Sequence, residues 1–183
     1  TSTKLSIISR GIAYGMAYLH SKNIVHRDLK SLNILLDAND FPNISDFGVA
    51  TIQQNETLTG GAGTAQWMAP EVLSSKPYDQ KVDVYSYAMI LWEMFTTHIP
   101  FNGMTQLEVA VAVCKQKMRP KIPLNCPKNL RRLITTCWDA DPNKRPEFVR
   151  IVNALESCSI TFPGTDIRQL KSYIEQFSTS KLI

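Results

Sequence analysis

The chain has 183 residues, 44% of them apolar and 20% charged, with a net charge of +4. That length supports one domain with a sizeable core, and the balance of apolar and charged residues excludes a disordered or fibrous chain. Lys and Arg are scattered rather than massed, which argues against nucleic-acid binding, and no apolar run is long enough to span a membrane. Cys114, Cys126, Cys137 and Cys158 stand far apart without a Cys-x-x-Cys pair. This spacing argues against a zinc site. Nothing at the start reads as a secretory signal, so reduced thiols in a cytoplasmic or nuclear protein are expected.

Residues from about Thr3 to Ser21 read as an amphipathic helix, because Leu5, Ile8, Ile12, Met16 and Leu19 recur at steps of three and four. Ile24 and Val25 lead into a polar loop. Two short apolar runs, 33–36 and 41–45, flank Asp37-Ala38-Asn39-Asp40 and predict a small β-hairpin. Residues 51–66 are rich in Gln, Asn, Thr and Gly and read as a mobile loop. From Asp79 to Thr97 the apolar residues cover nearly every helical face, which predicts a buried central helix. Amphipathic segments follow at about 105–117, 127–138 and 146–157, punctuated by Pro120, Pro123, Pro127, Pro142 and Pro146. After Pro163-Gly164, a last helix from Asp166 to Phe177 carries Ile167, Leu170, Ile174 and Phe177 on one side. The expected fold is mainly α: helices around a buried central helix, with one small hairpin.

The chemistry concentrates in His26-Arg27-Asp28-Leu29-Lys30-Ser31-Leu32-Asn33 and in Asp46-Phe47-Gly48. Asp28 is the candidate base. Phosphoryl transfer passes through a loose transition state, so the acceptor hydroxyl needs orientation more than deep deprotonation, and a carboxylate fixed in a loop supplies it. Asn33 and Asp46 are candidate Mg²⁺ ligands. They offer hard oxygens on two adjoining loops, and magnesium takes the rest of its octahedron from phosphates and water. Lys30 is a mobile point charge that could neutralise a transferring phosphate. Taken singly, each residue has a plainer reading as a cap, a turn residue or a surface lysine. Their spacing within these two strings favours phosphoryl transfer from a nucleotide–Mg²⁺ complex.

With Gly63-Thr64, Met68-Ala69-Pro70-Glu71, Asp83-Val84-Tyr85-Ser86 and Trp138-x-x-Asp141-Pro142-x-x-Arg145-Pro146, these strings resemble the C-terminal lobe of a eukaryotic protein kinase. The resemblance covers about residues 3–157. It divides the chain into a lobe over 1–158 and a C-terminal extension over 159–183. It implies a buried ion pair between Glu71 and Arg145, and a bracing role for Asp83 behind the catalytic loop. It places His26 beneath Phe47 in a hydrophobic spine, and Leu35, Ile90 and Met94 under the adenine ring. Lys30 and Thr64 resemble serine/threonine kinases, in which the threonine hydroxyl links Asp and Lys. Trp67–Glu71, Leu91-Trp92-Glu93 and Cys137-Trp138 are shared with tyrosine kinases, and the mixture is similar to the tyrosine-kinase-like group. Arg27, beside the catalytic aspartate, is expected to meet a phosphate on the following loop, with Thr59 as the first candidate and Thr57 as another. His20 and His98 have no assignable role.

His26 stands 25 residues after Thr1. Within this sequence no glycine-rich loop, strand lysine or helix glutamate precedes it, and the upper lobe is expected to be absent. This polypeptide by itself is therefore expected to have little or no kinase activity. Two classes stand open: part of an active serine/threonine kinase acting on a protein substrate, or a pseudokinase-like interaction module. The cleft floor around Leu35 and Phe47 is expected to face water.

Overall fold

The computed structural model describes residues 1–52 and 64–180, with side chains through residue 175. Helix α1 (Ser2–Ser21) opens with the Thr1 hydroxyl capping the Lys4 amide. Its apolar stripe packs inward as the periodicity predicts: Ile12 and Met16 are fully buried, and Leu5, Ile8 and Leu19 pack against the core. A second, polar face is buried as well, through Thr3, Ser6, Ser9 and Arg10. That face is covered because α1 is packed on several sides, by α6 (Phe148–Glu156), α7 (Ile167–Ser180) and a β-hairpin.

Arg10 shows how such a face is tolerated. Its guanidinium is buried with no carboxylate partner among the described residues and donates to the carbonyls of Ser6, Leu155 and Ile160 at 3.0, 2.6 and 3.4 Å. Leu155 lies in the last turn of α6, where unsatisfied carbonyls carry partial negative charge, so the cation sits against a helix C-terminus.

The hairpin joins β2 (Ile34–Leu36) and β3 (Pro42–Ile44), with Ile34 opposite Ile44 and Leu36 opposite Pro42. It lies directly on α1. A Cβ on Gly11 would come within 2.3 Å of the Pro42 ring, and one on Gly15 within 2.8 Å of Ile44 Cδ1. The two glycines therefore set how closely helix and hairpin approach.

A second pairing, β1 (Ile24–Val25) with β4 (Thr51–Ile52), corrects the reading of 51–66 as loop from its first residue. Two-residue strands are too short to leave a periodic signal. A 3₁₀ turn at Ala65–Trp67 and the short α2 (Pro70–Leu73) follow, with Pro70 at the first helical position.

The central helix α3 (Lys81–Thr96) is buried without a break from Val82 to Trp92. It packs on α5 (Lys128–Cys137), the 65–67 turn and α1, while α4 (Gln106–Cys114) packs on α2. Thr105 and Glu108 form a reciprocal capping box at the start of α4. The lobe is locked at its base by Glu71 and Arg145, whose guanidinium donates to both carboxylate oxygens at 2.5 and 2.9 Å. Breaking one partner of such a buried pair typically costs ~3–5 kcal/mol. The four cysteines are free.

Candidate active site

Loop 26–33 is anchored by side chains that point inward. His26 and Leu29 are fully buried, and Asn33 is nearly so. Arg27 takes a left-handed backbone at φ 68°, a region that favours glycine. Strain of this kind, of order 1–3 kcal/mol, persists only where surroundings over-determine it. Here the surroundings are a buried carboxylate and the bonds of the Arg27 side chain. Asp83, fully buried at the start of α3, accepts the amide N–H groups of His26 and Arg27, each at 2.9 Å. The Arg27 side chain holds the same bend by donating to Val49 O at 2.5 Å and to the Tyr78 hydroxyl at 3.4 Å.

His20 completes this brace, and sequence reasoning missed it. Its Nε2 lies 2.9 Å from Asp83 Oδ2, and its ring meets Phe148 edge-on at 5.1 Å. A lone histidine at the end of an amphipathic helix carries no signal of this. Only the packing of α1 beside α3 brings the two together.

The outward side of the loop carries the candidate chemistry. Lys30 Nζ donates to Asp28 Oδ2 at 2.7 Å and to Thr64 Oγ1 at 2.9 Å. Thr64 returns to Asp28 through its amide, 3.1 Å from Oδ1. Asn33 Nδ2 donates to Asp28 O at 2.8 Å and reaches Oδ2 at 3.3 Å. Asp28, Lys30 and Thr64 thus form one closed cluster from two chain segments, with the Asp28 and Lys30 side chains about nine-tenths covered (12% and 16% exposed). The carboxylate is held by donors on every member, so its direction is fixed before any substrate arrives.

Asn33 and Asp46 are linked through the backbone. The Ser45 amide donates to Asn33 O at 2.9 Å, and Ser45 Oγ donates to the same oxygen at 3.1 Å. His26 Nε2 meets Ser45 O at 3.0 Å. The hairpin therefore delivers Asp46 next to the end of loop 26–33. Asp46 itself is exposed, with φ at 62° and one Oδ1 accepting the Gly48 amide at 3.3 Å.

The donor set fits a sparse oxygen site. The Asn33 amide nitrogen is spent on Asp28, which leaves its carbonyl oxygen to coordinate, and Asp46 offers a carboxylate committed to one weak bond. No group of three His, Cys, Asp or Glu among the described residues could hold a metal alone. A cation here would depend on oxygens brought by its ligand, as Mg²⁺ commonly does.

Phe47 lies against His26, ring centroids 5.2 Å apart. The expected shared floor of Leu35, Ile90 and Met94 is corrected. Ile90 and Met94 line an apolar groove of about 150 Å³ with Ile34, Leu36 and α1 residues, whereas Leu35 faces the opposite way and is 55% exposed. Strand alternation explains it: Ile34 and Leu36 line the groove, so Leu35 between them must point away from it. Leu32 and Phe47 are also exposed, at 77% and 47%.

A further link was not anticipated. Glu93, on α3, accepts from Ser31 Oγ at 2.9 Å and from Trp67 Nε1 at 3.3 Å. Burial raises its carboxyl above the ordinary value, opposed by those two hydrogen bonds. Glu93 ties the exit of loop 26–33 to the 65–67 turn. Thr57 and Thr59 lie outside the described residues, and Thr51 lies in β4.

The profile of the family described as protein tyrosine and serine/threonine kinase matches residues 1–155. The chain belongs to that family. Its fold is the kinase C-terminal lobe, and its kinase motifs are nearest the tyrosine-kinase-like group. It is 41% identical over 175 residues to the serine/threonine-protein kinase STY17 of Arabidopsis thaliana, covering 95% of this chain and 30% of that protein. It is 46% identical over 146 residues to the serine/threonine/tyrosine-protein kinase HT1 of the same plant, covering 79% and 37%. The dual specificity protein kinase shkA of Dictyostelium discoideum is 42% identical over 170 residues, covering 86% and 32%. The chain thus spans about a third of the length of these relatives. Among the described residues no helix is long and apolar enough to cross a membrane.

Proposed function

We propose that this chain is the catalytic and substrate-side lobe of a cytoplasmic kinase that transfers the γ-phosphoryl of ATP, with Mg²⁺, to Ser or Thr hydroxyls of proteins. The observation that carries the proposal is the closed cluster of Asp28, Lys30 and Thr64. In this reading Asp28 orients the acceptor hydroxyl and takes its proton. Lys30 lies where negative charge would develop between acceptor and phosphate, and Thr64 holds both in register. Asn33 Oδ1 and the Asp46 carboxylate would hold the cation, which when bound neutralises phosphate charge and fixes the nucleotide's orientation. Leu35 would meet the adenine ring from below, and Phe47 with His26 would carry the metal loop on a packed base. The pairing of Lys30 with Thr64 supports Ser and Thr acceptors, although two of the relatives above are named for tyrosine or dual specificity as well.

The 183 residues contain no glycine-rich phosphate cover and no strand lysine for the α- and β-phosphates. A kinase needs both, so this polypeptide by itself is proposed to be nearly inactive, and the exposed Leu32, Leu35 and Phe47 would be the face on which an upper lobe closes. Arg27 would donate to an activation-loop phosphate once its bonds to Val49 and Tyr78 are exchanged.

The test is phosphoryl transfer to a Ser/Thr peptide by the full-length protein. Asp28→Asn should lower kcat roughly 10²–10⁴-fold with little change in ATP affinity. Unchanged kcat would remove Asp28 from the chemistry.

A further inference from the structure

Beyond residue 155, where the family match ends, the chain turns back across α1. Phe162 is buried, and its amide donates to Ser6 Oγ at 3.0 Å. Thr165 Oγ1 lies 2.8 Å from the same Ser6 Oγ and donates to Phe162 O at 2.7 Å. The Asp166 amide donates to Thr3 Oγ1 at 2.9 Å. The polar face of α1 that periodicity could not explain is thus the seat of this returning segment. Helix α7 then buries Leu170 completely and lays the Tyr173 ring on Phe41, centroids 5.3 Å apart and planes tilted by 32°.

Phe41 closes the turn of the β2–β3 hairpin. The Asp37 amide donates to Phe41 O, and the Asn39 and Phe41 amides donate to Asp37 Oδ1 at 2.8 and 2.9 Å. Lys4 of α1 pairs with Asp40 in the same turn at 2.5 Å. A two-stranded hairpin with three residues per strand has little stability of its own. Its position is therefore lent by what it packs on: α1 through Gly11 and Gly15 at the strand, and Lys4 and Tyr173 at the turn.

We propose that residues 159–175 form a clasp on this hairpin, with Tyr173 as the positioning residue, and that the clasp sets the placement of Asn33 and Asp46 at the hairpin's other end. The last clause rests on the metal reading given above. The competing role for the segment is a simple cover, whose loss would loosen the whole lobe evenly.

Residue-resolved amide exchange on the 183-residue chain separates the two. Tyr173→Ala and Phe41→Ala should each speed exchange across the hairpin, including the Ser45 amide that donates to Asn33, by roughly two- to tenfold. The double variant should fall short of the sum of the two single effects, because the two rings touch each other. Amides of α3 should keep their rates, and Tyr173→Phe should restore most of the protection. Unchanged hairpin rates in Tyr173→Ala, or acceleration spread equally over α3, would overturn the clasp. In the full-length protein, Tyr173→Ala should weaken Mg²⁺-dependent ATP binding by a similar factor. Unaltered binding beside faster exchange would overturn the positioning claim. ATP binding that ignores Mg²⁺ in the unmutated protein would instead sink the reading of Asn33 and Asp46.

Discussion

The two sides of the candidate site are built differently. The base side, Asp28 with Lys30 and Thr64, stands on a buried carboxylate: Asp83 satisfies two backbone amides and a histidine of α1. The Asp46 arm of the metal side, with Phe47 and Gly48, is exposed; it is held by an Asp46–Gly48 bond of 3.3 Å, an Ala50 amide on Phe47 O at 3.1 Å and one tilted ring contact. Buried polar networks are strong when every member is satisfied, and exposed single bonds are not. In the proposed reading, the acceptor-orienting half of the site is therefore already fixed within the lobe, and the half assigned to nucleotide and cation is left to be completed by its ligand and by an upper lobe.

The comparison breaks most sharply under paired substitutions. Asp83→Ala strips two buried amides of their acceptor and should cost roughly 3 kcal/mol or more in urea unfolding, at about 1–3 kcal/mol per orphaned group. Asp46→Ala, at an exposed position, should stay within about 0.5 kcal/mol. Equal losses for the two would dissolve the distinction. Next in size are the α1 glycines. Gly11→Ala drives a methyl into the rigid Pro42 ring and should cost ~1–2 kcal/mol net, because overpacking outweighs the helix-propensity gain of about 1 kcal/mol. Gly15→Ala meets only the mobile end of Ile44 and should be close to neutral by the same melt.

The smallest effect concerns Glu93. Burial raises its carboxyl in the folded state, so the native protein binds that proton more readily than the unfolded chain. Stability contributed this way is present in acid and is lost as pH rises through the raised value. Relative to Glu93→Gln, the unmutated chain should therefore lose ground as pH rises above the ordinary carboxyl range. A difference independent of pH would remove the effect of burial.

Much of this was legible in the sequence, for physical reasons. The unbroken apolar run of α3 could only be a helix buried all round, and Val82 to Trp92 are buried without exception. The hairpin announced itself through Asp37-Ala38-Asn39-Asp40. What could not be read were contacts between polar residues distant in the chain. Ser6, Ser9 and Arg10 look solvated until α6 and the 159–166 segment cover them. His20 becomes a brace only because Asp83, 63 positions later, packs beside it. The family resemblance groups Leu35 with Ile90 and Met94, but strand alternation sends it the other way. The direction of a side chain on a three-residue strand depends on which face its neighbours bury, and composition does not fix that.

Native-state amide exchange across residues 25–48 tests the central contrast most directly. The amides of His26 and Arg27, bonded to Asp83, should exchange only on global unfolding, whereas the Gly48 amide should exchange through local opening orders of magnitude faster. Comparable rates at both ends of the site, or His26 and Arg27 exchanging as freely as Gly48, would contradict a pre-built base side beside an unfinished metal side.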